Sequence, residues 1–411
     1  MDGSEERTVK PHEERLFRGH TGRMLGAVAM GNATIALGTL VLAPLLPAII
    51  DDLGISAFQA GIALSVLWGL NALGQFPGGR LSDQFTRKTL LVAGLAGLVT
   101  GFLVLLVTPA IVDSGGTAGF VSFLFGAAVV GIGSGLFPSS AYALLSDLFV
   151  DQRGRAFGVY TAHWDLGGAF AAGLAIVALS LGAWRAAFVP VVCLAVVVAL
   201  LVHRWGREPY AVARPRLDLR GTVNRLFGDD TVRLVILAYA LYLVTWQGAV
   251  SFLPTFLQFE RGFDPALASG AFAMLFLIGV VVKPLSGAVG DRIGRSTVAL
   301  GALVVGAVGL AGIVAAPTQE LVLLSIVVFA VGLMAFSPPM LAFVMTLFPH
   351  GSAGGDFGGV RTVYLGLGSL GPTYVGFVAG RISYAAAFTG LVLSLIASAL
   401  VLGWVVRAAR R

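Results

Sequence analysis

The sequence predicts an all-α membrane protein: twelve transmembrane helices in two six-helix bundles related by a pseudo-two-fold axis, with both termini cytoplasmic. Three observations carry that expectation: an apolar composition, a lopsided distribution of basic residues and an internal repeat. Of the 411 residues, 57% are hydrophobic and 12% charged, where soluble domains carry about 25% charged residues. A run of about 20 apolar residues crosses a hydrocarbon core roughly 30 Å thick. Such runs fall at about 24–50, 58–79, 89–112, 118–146, 155–180, 186–203, 232–258, 266–289, 297–316, 320–347, 357–380 and 384–406.

Counting Lys and Arg at loops and ends gives 22 on one side and only Arg185, Arg261 and Arg381 on the other, while Lys283 and Arg361 fall within spans. Cytoplasmic loops collect basic residues, so the 22-residue side, with both termini, is assigned to the cytoplasm of a cell membrane. Attraction to anionic lipid headgroups accounts for the net charge of +6 without nucleic acid. The first twenty residues hold five acids and four Lys or Arg, a solvated tail rather than a cleavable signal peptide.

One long polar connection, 204–231, divides the spans six and six. The expected organisation is a tail (1–23), a first bundle (24–203), the connection (204–231), a second bundle (232–406) and a short tail (407–411). The other loops are short, which makes consecutive helices antiparallel neighbours. Nothing demands more than a monomer. Cys193 is the single cysteine, so no intrachain disulfide forms, and it is expected as a small buried hydrophobe.

The halves repeat. Between the second and third spans the chain reads GGRLSDQFTRK from Gly78, and between the eighth and ninth GAVGDRIGRS from Gly287. At a constant offset of 208, Gly79 aligns with Gly287, Asp83 with Asp291 and Arg87 with Arg295. A second echo, Trp184 to Phe188 against Tyr384 to Phe388, has an offset of 200. Parallel repeats about an axis along the membrane normal occur among transporters.

With these residues the chain, from about 20 to 407, resembles the major facilitator superfamily of secondary transporters. Gly79-Arg80-Leu81-Ser82-Asp83 and Arg87-Lys88 match the family's signature loop, and Gly287, Asp291, Arg292, Gly294 and Arg295 keep its second copy. Gln84 and Thr86 depart from the usual basic residue and glycine. Ala127 stands where many members carry an arginine. The Gly371-Pro372 pair lies in the eleventh span rather than the fifth, where proton-driven exporters often have one. The resemblance implies a small-molecule substrate, alternating access and no cofactor.

In the signature loop Asp83 is expected beside positive helix N-termini, and Arg87 to pair with Asp147. Such a cluster would latch the two bundles when the cytoplasmic side is closed. Leu347 stands where the second half would need an acid equivalent to Asp147, so the latch should be tighter around Asp83 than around Asp291. Lys283, near the cytoplasmic end of the eighth span, is assigned to the same gate.

Ionisable groups at mid-membrane depth cost at least about 2.5 to 3.5 kcal/mol, which makes them functional candidates. Asp165 lies about 15 Å into the fifth span at 1.5 Å per residue and is the expected proton carrier. His163, about 200° away round the helix, faces elsewhere; it is a second candidate or a packed group. Arg361 offers a fork for a carboxylate or phosphate, or else snorkels to the interface or pairs with Asp356. The resemblance places Asn32, Thr34, Trp246 and Gln247 on helices that face a central cavity.

A lining with few polar groups suits a small organic solute better than a sugar. Arg361 and Lys283 favour an organic anion; a proton-coupled exporter of drugs or lipophilic compounds is the alternative. A channel would need a continuous polar stripe, and an enzyme a catalytic constellation that His163 and Asp165 do not supply. Their spacing supplies no metal site either. Gly366-Leu-Gly368-Ser-Leu-Gly371 fits a dinucleotide fingerprint but lies in an apolar span and follows no strand.

Overall fold

The computed structural model describes residues 16–81, 86–111, 116–210, 229–347 and 353–408. Among them the helices are α1 (Gly19–Leu53), α2 (Ala57–Leu81), α3 (Arg87–Ile111), α4 (Thr117–Leu148), α5 (Arg153–Ser180), α6 (Phe188–Trp205), α7 (Asp230–Phe259), α8 (Pro265–Ile293), α9 (Arg295–Ala315), α10 (Gln319–Met345), α11 (Ala353–Gly368), α12 (Leu370–Arg381) and α13 (Tyr384–Ala408). A 3-10 turn, Trp184–Ala187, precedes α6. Eleven of the helices are long and apolar enough to cross a membrane.

The helix boundaries have local causes. Asp229 caps α7 by accepting from the Thr231 and Val232 N–H groups, and Asp264 caps α8 before Pro265, which has no N–H to leave unpaired. Gly54 closes α1 in the left-handed conformation, φ 59°, its N–H donating to the Ile50 carbonyl. Gly294 ends α8 and opens α9 at φ 105°, a backbone angle that side chains disfavour. Its counterpart at offset 208, Thr86, adopts no positive φ. The two copies of the repeated loop therefore turn differently, and the glycine departure at Thr86 is structural as well as chemical.

The eleventh predicted span is not one helix. It breaks at Ser369 into α11 and α12, and Pro372 explains the break because it cannot donate to the carbonyl four residues back, Gly368. The Ser369 hydroxyl bonds the Gly366 carbonyl at 2.6 Å on the same turn.

Close helix packing runs on small residues, as expected for helices already surrounded by apolar solvent. A Cβ on Gly131 would lie 2.4 Å from the Leu67 carbonyl oxygen of α2, and one on Gly133 2.6 Å from the Leu98 nitrogen of α3. In the first half α2 and α3 pack on α4, α1 on α5, and α3 on α6; in the second α9 packs on α10, α8 on α10, and α13 on α7 and α9. Across the halves α2 meets α11 and α12, α5 meets α8, and α1 meets α7.

Large apolar side chains such as Phe125, Phe170, Leu200, Val308 and Leu400 face outward. Cys193 is exposed with them, which corrects its expected burial. Val191, Ala195, Val198 and Val202 form the buried face of α6 at helical spacing, and Cys193 falls on the other face.

Candidate functional site

Asp165 lies twelve residues into α5, almost wholly buried, and receives the Lys283 ammonium of α8 at 2.6 Å. Thr161, a turn earlier, does not reach it: that hydroxyl donates to Phe157 and Gly158 carbonyls. Small residues bring the two helices together. Gly279 is so close that a Cβ there would meet an Asp165 carboxylate oxygen at 3.3 Å, and Gly168 lies against the Phe276 ring. Lys283, assigned from sequence to a gate at the helix end, thus belongs to an ion pair that joins the halves at depth. His163 turns away, as its spacing requires. Its Nδ1 lies 2.7 Å from the Val159 carbonyl, an acceptor, so Nδ1 carries the proton.

Arg361 is eight residues into α11, about 12 Å from its start, and does not snorkel. Its guanidinium sits among the phenols of Tyr142 in α4, Tyr160 in α5, Tyr239 in α7 and Tyr364 in α11. The Asp356 side chain lies outside the described residues, and no described carboxylate pairs with Arg361. Tyr239 stacks on Tyr364 at 4.0 Å, and Tyr142 meets Tyr160 edge to face at 5.0 Å. Tyr242 follows Tyr239 at 5.9 Å and lies within electrostatic range of Asp165. The phenols therefore extend from the guanidinium towards the ion pair. Four tyrosines separated by up to 222 positions leave no local signal in the sequence.

The remaining solute candidates divide. Asn32 donates to the Tyr160 carbonyl at 2.8 Å and staples α1 to α5. Thr34 bonds back to the Met30 carbonyl of its own helix and is buried. Gln247 donates to Leu365 at the break between α11 and α12, at 3.4 Å, and its buried carbonyl oxygen finds no partner among the described residues. Trp246 packs edge to face on Trp68 at 5.5 Å, and Trp68 donates to Ser251.

Beyond that tryptophan pair the halves close on each other. The Thr373 N–H donates to the Ser65 hydroxyl at 2.9 Å, and the two hydroxyls lie 2.7 Å apart. The approach depends on glycine: a Cβ on Gly61 would lie 2.4 Å from the Pro372 oxygen, and one on Gly376 2.3 Å from the Ala57 oxygen.

At the opposite end Arg87 pairs with Asp147, as expected, and also with Glu208 at 3.4 Å. Glu208 accepts the Lys88 backbone N–H as well. Arg295 instead bonds Asp291 of its own loop at 3.0 Å and the Ala342 carbonyl. Asp147 lies in the same half as Arg87 and Glu208 in the connection, while both Arg295 partners lie in its own half, so the Arg87–Asp147 contact ties α3 to α4 and does not itself span the bundles as the expected latch would. Asp83 lies outside the described residues. Gly79 falls in the last turns of α2, and Gly287 lies in α8 against Pro338 of α10.

A sequence profile of the Major Facilitator Superfamily matches residues 28–372 and, in a second alignment, 235–411. The chain belongs to the major facilitator superfamily. Members are transporters rather than enzymes, and this one is a multi-pass membrane protein. Among curated relatives, a probable sulfoacetate transporter of Cupriavidus necator is 27% identical over 65% of this chain and 64% of its own length. The chain thus spans a little under two thirds of that relative. The hexuronate transporter of Bacillus subtilis is 25% identical over 81% of this chain and 82% of its own. A multidrug resistance protein of Salmonella arizonae is 26% identical over 59% and 58%.

Solved superfamily structures share the fold. A bacterial homologue of the human lysosomal transporter Spinster, in an inward-facing and occupied conformation, superposes with a TM-score of 0.77, 16% identity, and coverage of 95% of this chain and 97% of that one. A D-xylose–proton symporter gives a TM-score of 0.76 at 14% identity, covering 93% and 97%.

Proposed function

We propose that this superfamily member is a secondary active transporter that moves a small organic anion by alternating access, coupled to protons through Asp165. The observation that carries the reading is the buried Asp165–Lys283 pair between α5 and α8. Removing two charges from water is repaid only while both partners stay together. A proton on Asp165 cancels its charge and frees Lys283, which weakens the strongest polar contact between the halves at that depth. The freed ammonium then adds to the field of Arg361, and both favour an anion. His163, bonded within its own helix, takes no part in that step.

The two sets of six helices act as bundles rocking about this site. With the basic end in the cytoplasm of the cell membrane, as the charge asymmetry supports, the Ser65–Thr373 contact closes the outer end and solute reaches Arg361 from within. Both termini are then cytoplasmic, lipid surrounds the monomer, and Arg87 and Arg295 brace the inner loops. The probable sulfoacetate transporter and the hexuronate transporter, both named for organic anions, support this class.

The test is substrate-driven proton movement in proteoliposomes with organic acids and lipophilic cations, comparing the parent with Asp165→Asn. An acid should move protons in the parent and lose that coupling in the variant while still binding. Transport of an acid with no proton movement in the parent would remove Asp165 from coupling. The multidrug resistance relative and the Trp68–Trp246 pair support a second reading, a proton-coupled exporter of lipophilic compounds. Proton movement driven by the cations alone would select it.

A further inference from the structure

We propose that the anion site around Arg361 is built for a planar aromatic carboxylate, a proposal that rests on the organic-anion reading and narrows it. Its polar equipment is sparse. Tyr239 spends its hydroxyl on Ser337 at 2.9 Å, and Tyr242 donates to the Leu333 carbonyl at 2.7 Å. The Tyr160 hydroxyl is different: the residue is 1% exposed and the oxygen has no hydrogen-bond partner among the described residues. A buried, unpaired phenol beside a guanidinium is an unused donor where a carboxylate oxygen would sit. Arg361 supplies the fork for that carboxylate and Tyr160 a further donor.

The surroundings of that point are rings from both halves. Tyr142 and Tyr160 form one wall, with Phe157 on Tyr142 at 5.1 Å. Tyr239 and Tyr364 form the other, their planes within 8° of parallel. A hexuronate-like acid brings several hydroxyls that each need a partner, and the phenols of Tyr239 and Tyr242 are already committed. A flat ring needs none and gains stacked or edge-to-face contacts. The guanidinium itself stacks on aromatic faces. The two walls come from different halves, so a ring between them would also be sensed by both bundles at once.

The experiment is calorimetric titration of the full chain in lipid nanodiscs with benzoate, cyclohexanecarboxylate and glucuronate. Benzoate and cyclohexanecarboxylate share charge and approximate size but differ in planarity. Benzoate is expected to bind about tenfold more tightly than cyclohexanecarboxylate, the scale of one good ring pair, with glucuronate weakest. Tyr364→Leu should remove that preference, and Tyr160→Phe should weaken both ring-sized acids alike. Equal affinity for benzoate and cyclohexanecarboxylate, or tighter glucuronate binding, would overturn the aromatic class and leave the anion reading standing. Absence of binding by all three acids would overturn the anion reading itself. The comparison on the parent protein needs no variant, so a misfolded substitution does not blunt the result.

Discussion

The Asp165 carboxylate and the Lys283 ammonium lie 2.6 Å apart across the two halves, with Asp165 2% and Lys283 27% exposed. That inequality decides how each substitution behaves. Breaking a fully buried pair costs about 3 to 5 kcal/mol because the survivor is left uncompensated. Lys283→Met strands the buried partner and is expected to cost about 2 to 3 kcal/mol, reduced because water already reaches the ammonium. Adding Asp165→Asn should recover most of the loss in thermal unfolding. A double variant as unstable as Lys283→Met would show that the pair is not what stabilises this contact.

At the end closed by Ser65 and Thr373, bulk at Gly376 is incompatible with the observed approach to the Ala57 carbonyl. Gly376→Leu should hold that end apart. In a Cys193→Ser background, Ser251→Cys beneath the Trp68 indole is expected to react about tenfold faster with an impermeant thiol reagent, a shift of about 1.4 kcal/mol in the closed population. An unchanged labelling rate would mean that closure resides elsewhere.

Arg87 and Arg295 occupy equivalent positions with unequal partners. Arg87 holds two carboxylates from separate segments and is 25% exposed; Arg295 holds one four residues away and is 41% exposed. Exposed pairs contribute about 0.2 to 1 kcal/mol. Arg87→Ala is therefore expected to cost about 1 to 2 kcal/mol and Arg295→Ala less than about 1. Denaturant titration of the two variants side by side decides, and the reverse order would sink the asymmetry.

Gly294 and Thr86 provide a matched backbone test. Gly294→Ala places a side chain at φ 105°, with an expected loss of about 1 to 2 kcal/mol. Thr86→Gly needs no such conformation and should change stability by less than about 1 kcal/mol, through chain entropy. Equal effects on melting would show that the loop simply rearranges.

The spans were legible because twenty apolar residues in a row admit few other structures, and the family because the Gly79 and Gly287 loops repeat at one offset. Asp165 stood out by its depth. Its pairing with Lys283 did not, since the two are 118 positions apart and only the packing of α5 on α8 joins them. The same holds for Glu208 at Arg87 and for the tyrosines at Arg361. Thr34 shows a contact that position alone does not predict: on α1 its hydroxyl donates to the Met30 carbonyl of its own helix. The break at Ser369 is legible in Gly371-Pro372, because a proline inside a helix leaves the carbonyl four residues back without its partner.

That break divides the work of one membrane crossing. α12 carries Thr373 and Gly376, which seal one end, while α11 carries Arg361, which faces the phenols. With Pro372 unable to bond the Gly368 carbonyl, bending at Ser369 sacrifices no further backbone bond there. One crossing thus holds its seal and its charge on two separate helical segments, α12 and α11, that meet at Ser369.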